Sequence, residues 1–211
     1  MFQPSYFKQK NCQQMFKFIE YYSLASIVTM TSHGLIGNHI PMLVVKRVDG
    51  YVLQGHVARV NSLCVDIDDS VDALALFHGP NAYISPSWYP AKKKDPRTVP
   101  TWNYVAVHVG GPMSFFRDKD WLQGHLQNLS DTHENKVGEN WKLSDAPDDY
   151  IDKMLKAIVG VEIEVKSIFG NTKMSQNHSR ENRDGVICGL NELGQTEAAS
   201  WVRNPNKFIG E

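Results

Sequence analysis

Residues 101–116 read TWNYVAVHVGGPMSFF. Side chains along a strand alternate between its two faces, so Val105, Val107 and Val109 share one face and Trp102, Tyr104, Ala106 and His108 share the other. The valine face suits a core. The opposite face offers rings and polar tips. Immediately upstream, residues 85–104 read SPSWYPAKKKDPRTVPTWNY. Trp88-Tyr89 and the Trp102/Tyr104 pair flank a loop carrying Lys92, Lys93, Lys94 and Arg97. Pro90, Pro96 and Pro100 stiffen that loop, because each fixes its own φ and restricts the residue before it. Surface and core side by side would explain the mixture; so would a seat for a flat, negatively charged ligand.

The neighbouring runs are also strand-like. LASIVTMTS and LIGNHIPMLVVKR are joined at His33-Gly34, and YVLQGHVA follows after Val48-Asp49-Gly50. Asp-Gly between apolar runs is a hairpin signal. VDALALFHG and AYISPSWY read as two strands with Gly79-Pro80-Asn81 as their turn. VGVEIEVKSI alternates, with Val161, Ile163 and Val165 inward and Glu162, Glu164 and Lys166 outward. Helices are expected over 11–22, capped by Asn11, over 118–137, and over 147–157 with Asp148 and Asp149 at its start. Residues 60–70 suit a short helix. Beyond about residue 178, SRENRDGVICGL and QTEAASWVRN read as two short helices broken at Gly194. Tight turns between strands predict a mostly antiparallel sheet, and at least six strands with peripheral helices predict a closed or nearly closed barrel. The fold class is therefore mainly β with peripheral helices, α+β. The whole chain, 1–211, is expected to be one domain with a C-terminal helical extension from about 178 to 211.

The 211 residues are 42% hydrophobic and 21% charged, enough to bury a core and too little charge for disorder. A formal net charge of −1 argues against a large nucleic-acid footprint. Cys12, Cys64 and Cys188 form no CxxC spacing and fit a reducing cytoplasm. The N-terminus has no apolar core of the kind a signal peptide needs, and no run reaches a membrane span. Catalytic signatures are weak: the sequence has neither a G-x-S-x-G elbow nor H-E-x-x-H, and its eight histidines lack zinc-site spacing.

Three runs could carry chemistry. In GHVARVN, residues 55–61, Arg59 can make paired charge-assisted bonds to a phosphate, Asn61 can add an amide donor, and His56 lies on the same run. A surface ion pair and a satisfied histidine are the alternative. In PTWNYVAVH, Trp102, Asn103 and Tyr104 offer stacking and amide groups to a flat ring system; they could equally fill the core. In KMSQNHS, residues 173–179, the polar groups of Lys173, Ser175, Gln176, Asn177 and His178 could complete a phosphate or ring-edge site, or the run could serve as a helix cap through Asn177 or Ser179.

Taken together, FQPSYF, GHVARVN, HGPNAYISPSWY, VPTWNYVAVHVGG and KMSQNHSRENRDGVICGL resemble the PaiB-like FMN-binding negative transcriptional regulators. The chain departs from the family pattern at Val60 and Ser62, where that pattern has alanine and proline. The resemblance implies an antiparallel, Greek-key split β-barrel similar to the pyridoxamine-phosphate-oxidase-like flavoproteins, a homodimer, and FMN at the subunit interface. It implies that His56, Arg59 and Asn61 face the phosphate, that Trp102, Asn103 and Tyr104 lie near the flavin, and that Lys173, Ser175, Gln176 and Asn177 are supplied across the dimer. DNA would be a partner, directly or indirectly. An FMN-dependent oxidoreductase acting on a small molecule or nicotinamide cofactor is the alternative function. Haem binding through His108, His125 or His178, or a scaffold with a degenerate site, are further alternatives.

Overall fold

The structure is a computed structural model that describes residues 1–68 and 70–206. Its elements run β1 (Lys8–Gln9), α1 (Cys12–Tyr21), β2 (Leu24–Thr31), β3 (Gly34–Pro41), β4 (Leu43–Arg47), β5 (Gly50–Ala58), β6 (Ala73–Ile84), β7 (Thr101–Gly111), β8 (Met113–Phe116), α2 (Lys119–Val137), α3 (Asp148–Lys156), β9 (Ile158–Glu164), β10 (Ser167–Lys173), α4 (Arg180–Glu192) and α5 (Thr196–Arg203). Two sheets result, ordered β1-β10-β7-β6-β2-β3 and β4-β5-β9-β8. The pairings β1–β10, β2–β3, β4–β5, β5–β9 and β8–β9 are all antiparallel. The fold is thus mainly β with peripheral helices, as the tight turns predict.

The chain divides into two compact units: one of Met1–Tyr22, Phe77–His108 and Ile168–Glu211, the other of Ser23–Leu76 and Val109–Ser167. In the first, α1 begins as expected at Asn11, whose side chain accepts from the Gln14 N–H. Its apolar side buries Met15, Phe18 and Ile19. Phe18 meets Trp201 of α5 edge-on at 6.1 Å. Two glycines of α4 are required by close approach. A Cβ at Gly185 would lie 2.0 Å from the Trp88 carbonyl oxygen, and one at Gly189 would lie 2.4 Å from the Trp88 ring. The bare flank of α4 therefore seats the 3-10 turn Pro86–Trp88.

In the second unit, β2 and β3 pair from Leu24↔Pro41 to Thr31↔Gly34, and Gly34 at φ +105° makes the turn. The expected hairpin at Val48-Asp49 closes Arg47↔Gly50. Ile27, Met42, Leu53, Leu63, Leu122, Val161 and Ile163 are among its buried side chains. α2 is capped by Asp118, which accepts from Trp121 N–H, and ends at Gly138 in the left-handed region.

Four sequence expectations are corrected. Gly79-Pro80-Asn81 is not a turn: β6 runs through it to Ile84. The run LIGNHIPMLVVKR is two strands of different sheets, divided at Met42. Among the described residues of 60–70 the helical piece is a 3-10 turn, Ser62–Cys64, in place of the expected short helix. Glu162 does not face solvent; it is 7% exposed, and its Oε2 accepts from Arg47 Nη2 at 2.6 Å and Gln54 Nε2 at 2.8 Å. Alternation read it as polar and outward, but β4 and β5 each bring a donor, Arg47 and Gln54, that satisfies the carboxylate inside.

Candidate functional site

In the first unit, a cavity of about 280 Å³ is lined by Tyr89, Arg97, Thr98, Val99, Thr101, Asn103, Lys173, Ser175, Asn177 and His178. It brings together two of the three candidate runs. The strand phase of β7 that buries Val105 and Val107 also buries Asn103, which is 1% exposed. Its Nδ2 donates to Ser175 Oγ at 2.9 Å. Ser175 is itself 2% exposed and sits at φ +60°, a backbone state that costs a non-glycine residue free energy. The bond to Asn103 helps hold it there.

Lys173, the last residue of β10, donates from Nζ to Thr101 Oγ1. Burial holds its ammonium below the ordinary lysine range. Tyr89 and His178 stack with centroids 4.8 Å apart and 28° between planes. Burial and then the Lys173 charge push His178 down, and burial pushes the Tyr89 phenol up. Arg97 is held by Asp95 through a two-pronged contact, Nε to Oδ1 at 2.9 Å and Nη2 to Oδ2 at 2.8 Å. Of the four cations on the proline-stiffened loop, Arg97 lines the cavity, while Lys92, Lys93 and Lys94 are exposed.

The other candidates have separate places. Trp102 is 56% exposed and meets Tyr83 edge-on at 6.1 Å, so it does not fill the core. Tyr104 Oη accepts from Asn171 Nδ2 at 2.9 Å. Gln176 closes the turn after β10: its Oε1 accepts from Met174 N–H and its Nε2 donates to the Thr172 carbonyl.

GHVARVN lies wholly in the second unit. Arg59 binds the end of α3: its backbone N–H donates to Ala157 O at 2.8 Å, Nε to Lys156 O at 2.8 Å and Nη2 to Ile158 O at 3.3 Å. It also lines a second cavity with Arg117, Lys119, Asp152 and Lys156. Asn61 caps the following 3-10 turn through Leu63 N–H, and its Nδ2 donates to Asn38 Oδ1. His56 Nδ1 lies 3.1 Å from His125 Nε2.

Thr98, Val99 and Thr101 are cavity residues that the sequence reading did not single out, while Tyr89, Arg97 and His178 were named there without being joined into one site. Tyr89 and His178 stood inside quoted runs, and the pairing of a tyrosine and a histidine 89 positions apart has no local signal. Among the described residues, no group of three or more His, Cys, Asp or Glu is arranged to hold a metal ion. Nor is any helix among the described residues long and apolar enough to cross a membrane.

Residues 1–167 match the family described as "Putative FMN-binding domain". The chain is 35% identical over 188 residues to the protease synthase and sporulation protein PAI 2 of Bacillus subtilis, covering 89% of this chain and 87% of that one. It is 32% identical to an uncharacterized protein of Emericella nidulans, covering 76% and 74%. Among solved structures it is similar to the FAD and heme binding protein from Mycobacterium smegmatis, with TM-score 0.56, 11% identity, and 79% and 73% coverage. It is also similar to the flavocytochrome Anf3 from Azotobacter vinelandii, with TM-score 0.54, 10% identity, and 79% and 69% coverage. At such identities the structural likeness bears on fold alone, an antiparallel split-barrel arrangement of sheets with helices.

Proposed function

This chain belongs to the FMN-binding domain family, with FMN as its cofactor, and on that premise we propose that the cavity of the first unit is where part of the flavin is held. The observation that carries the reading is that Asn103, Lys173, Ser175 and Asn177, chosen from two distant runs, line one cavity. The donor set fits the group. Amide, hydroxyl and ammonium donors suit the carbonyl and nitrogen acceptors of a flavin edge, and the Tyr89–His178 stack adds apolar wall. About 280 Å³ is near the lower bound of ligand pockets, roughly 300–1,000 Å³, and so suits a portion of FMN. Bound there, FMN supplies electron or hydride transfer. Lys173 and Arg97 favour negative charge on whatever edge faces them. Trp102, Tyr104 and Gln176 act around this cavity, Gln176 by fixing the turn that carries Ser175.

For the phosphate, the reading assigns His56, Arg59 and Asn61 of the second unit. Arg59 keeps a cationic environment with Arg117 and Lys119 that suits a dianion. The protein works as a homodimer with flavin at the interface, in the cytoplasm, where Cys12, Cys64 and Cys188 stay as the free thiols seen here. Its role is regulatory, a reading supported by the likeness to the Bacillus subtilis protein named for protease synthase and sporulation; an FMN-dependent oxidoreductase is the competing reading.

The deciding experiment is flavin titration of the purified protein by fluorescence quenching, beside sedimentation. Saturable binding by a dimer supports the proposal, and absence of binding ends it. Arg59→Ala weakens FMN but not riboflavin by roughly tenfold or more if the guanidinium meets the phosphate; equal affinities remove Arg59 from the site. A salt-dependent shift of duplex DNA marks direct regulation, whereas steady NADH or NADPH oxidation with FMN marks the oxidoreductase.

A further inference from the structure

The second unit contains a histidine pair that the cavity does not use. His56 on β5 and His125 on α2 meet at 3.1 Å, Nδ1 to Nε2, with ring centroids 5.3 Å apart. His125 is 2% exposed. Its ring is stacked by Trp121 at 5.4 Å and 22°, and Trp121 is stacked in turn by Phe116 at 4.5 Å and 5°. The stack depends on Gly160, the residue paired with His56 across β5 and β9. A Cβ at 160 would lie 2.1 Å from the Trp121 ring. Backbone pairing and ring packing therefore fix both imidazoles.

Burial lowers the proton affinity of both rings, that of His125 to about 4, so the pair is neutral at pH 7. A neutral imidazole has one N–H donor and one bare acceptor nitrogen. His125 Nδ1 is buried with no hydrogen-bond partner. Were its proton on Nδ1, a desolvated donor would be left unpaired while Nε2 merely accepted. Placing the proton on Nε2 puts the donor in the short contact and leaves only a lone pair in the apolar pocket. His56 Nδ1 must then accept, which forces the His56 proton onto Nε2. No described residue accepts from that nitrogen, and His56 is part-exposed.

We infer that His125 is a positioning residue: it donates from Nε2 to His56 Nδ1 and thereby fixes His56 as an uncharged N–H donor, aimed outward at an acceptor oxygen of the phosphate class. The assignment of His56 to FMN phosphate rests on the function proposed above; the direction of the bridge does not.

The test is the ¹⁵N-labelled full-length protein at neutral pH. The expected result is a scalar coupling between His125 Nε2 and His56 Nδ1 across the bridge, with the bridging proton directly bonded to His125 Nε2. A bridging proton bonded to His56 Nδ1, or no coupling, overturns the inference without any substitution. His125→Phe should free the His56 ring and weaken FMN by about threefold to tenfold, the loss of one oriented donor. His125→Gln, whose amide N–H can replace the imidazole donor, should restore both. A confirmed bridge with FMN affinity unchanged in His125→Phe overturns the ligand half alone. A confirmed bridge in a protein that binds no FMN at all sinks the proposed function and leaves the positioning role intact.

Discussion

The two units use the polar residues of their candidate runs differently. In the second, apart from His125 Nδ1, which stays unpartnered, those named in the strands and turns answer each other. Glu162 is matched by Arg47 and Gln54, Arg59 is matched to carbonyls at the end of α3, and Asn61 is matched to a turn N–H and to Asn38. In the first, Asn103 and Ser175 satisfy each other while lining open space beside Lys173, Asn177 and His178. Closed circuits hold a strand in place, because an unmatched buried polar group is costly. Polar groups around a cavity keep capacity for a guest. Density of polar residues in sequence does not separate the two cases, since GHVARVN and KMSQNHS look equally rich.

The sharpest way to break this contrast is to move the cavity wall. Gly185→Ala would push a methyl group against the Trp88 carbonyl and displace Tyr89 next to it. The expected loss is about 1–3 kcal/mol of stability, read by denaturant unfolding, together with lost flavin binding. A variant as stable as the parent would mean that α4 does not set the wall.

Acid probes the second unit. His125 titrates at about 4 in the fold against 6.5 in the unfolded chain, and His56 is shifted the same way. The unfolded chain therefore binds more protons between those values. Stability is full above pH 6.5 and falls as pH drops towards 4, by about 3 kcal/mol from His125. His125→Phe should flatten that part of the unfolding-versus-pH curve; an unchanged slope would assign it to other groups.

Lys173→Met tests whether the open cavity uses its charge. The side chain keeps an unbranched apolar stem and loses its ammonium, so flavin affinity should fall by roughly tenfold or more, with stability little changed, since its hydrogen bond to Thr101 is part-buried. A large drop in melting temperature with affinity intact would move Lys173 to the structural side. The smallest effect belongs to Trp102→Ala. At 56% exposure it contributes little to the core, and loss of a stacking surface should weaken flavin by only a few-fold, about 0.5–1.5 kcal/mol.

Much of this was legible in the residues. Alternation in TWNYVAVHV located β7 and placed its valines inside, and Asn11 announced the start of α1. The resemblance carried by five runs identified the family and its fold. What escaped had non-local causes. Pro80 reads as a turn in isolation, yet β6 continues through it to Ile84. The burial of Glu162 depends on Arg47, 115 positions away. The short strands β1 and β10 pair across most of the chain, Lys8 with Asn171, and neither has a pattern long enough to stand out. For the candidate site, two of the three polar motifs converge on one cavity, and GHVARVN stands apart from it. The Tyr89–His178 stack and the His56–His125 bridge needed the fold.

The first unit is stitched from the beginning, middle and end of the chain. During synthesis, β1 and α1 leave the ribosome long before β10 exists to receive them, and Lys173, Ser175, Asn177 and His178 follow every segment of the second unit. A nascent chain halted at position 167 would already contain all of the second unit and none of those four residues. If this cavity holds the flavin as proposed, a chain cut at that point would keep the second unit's segments and lose the capture.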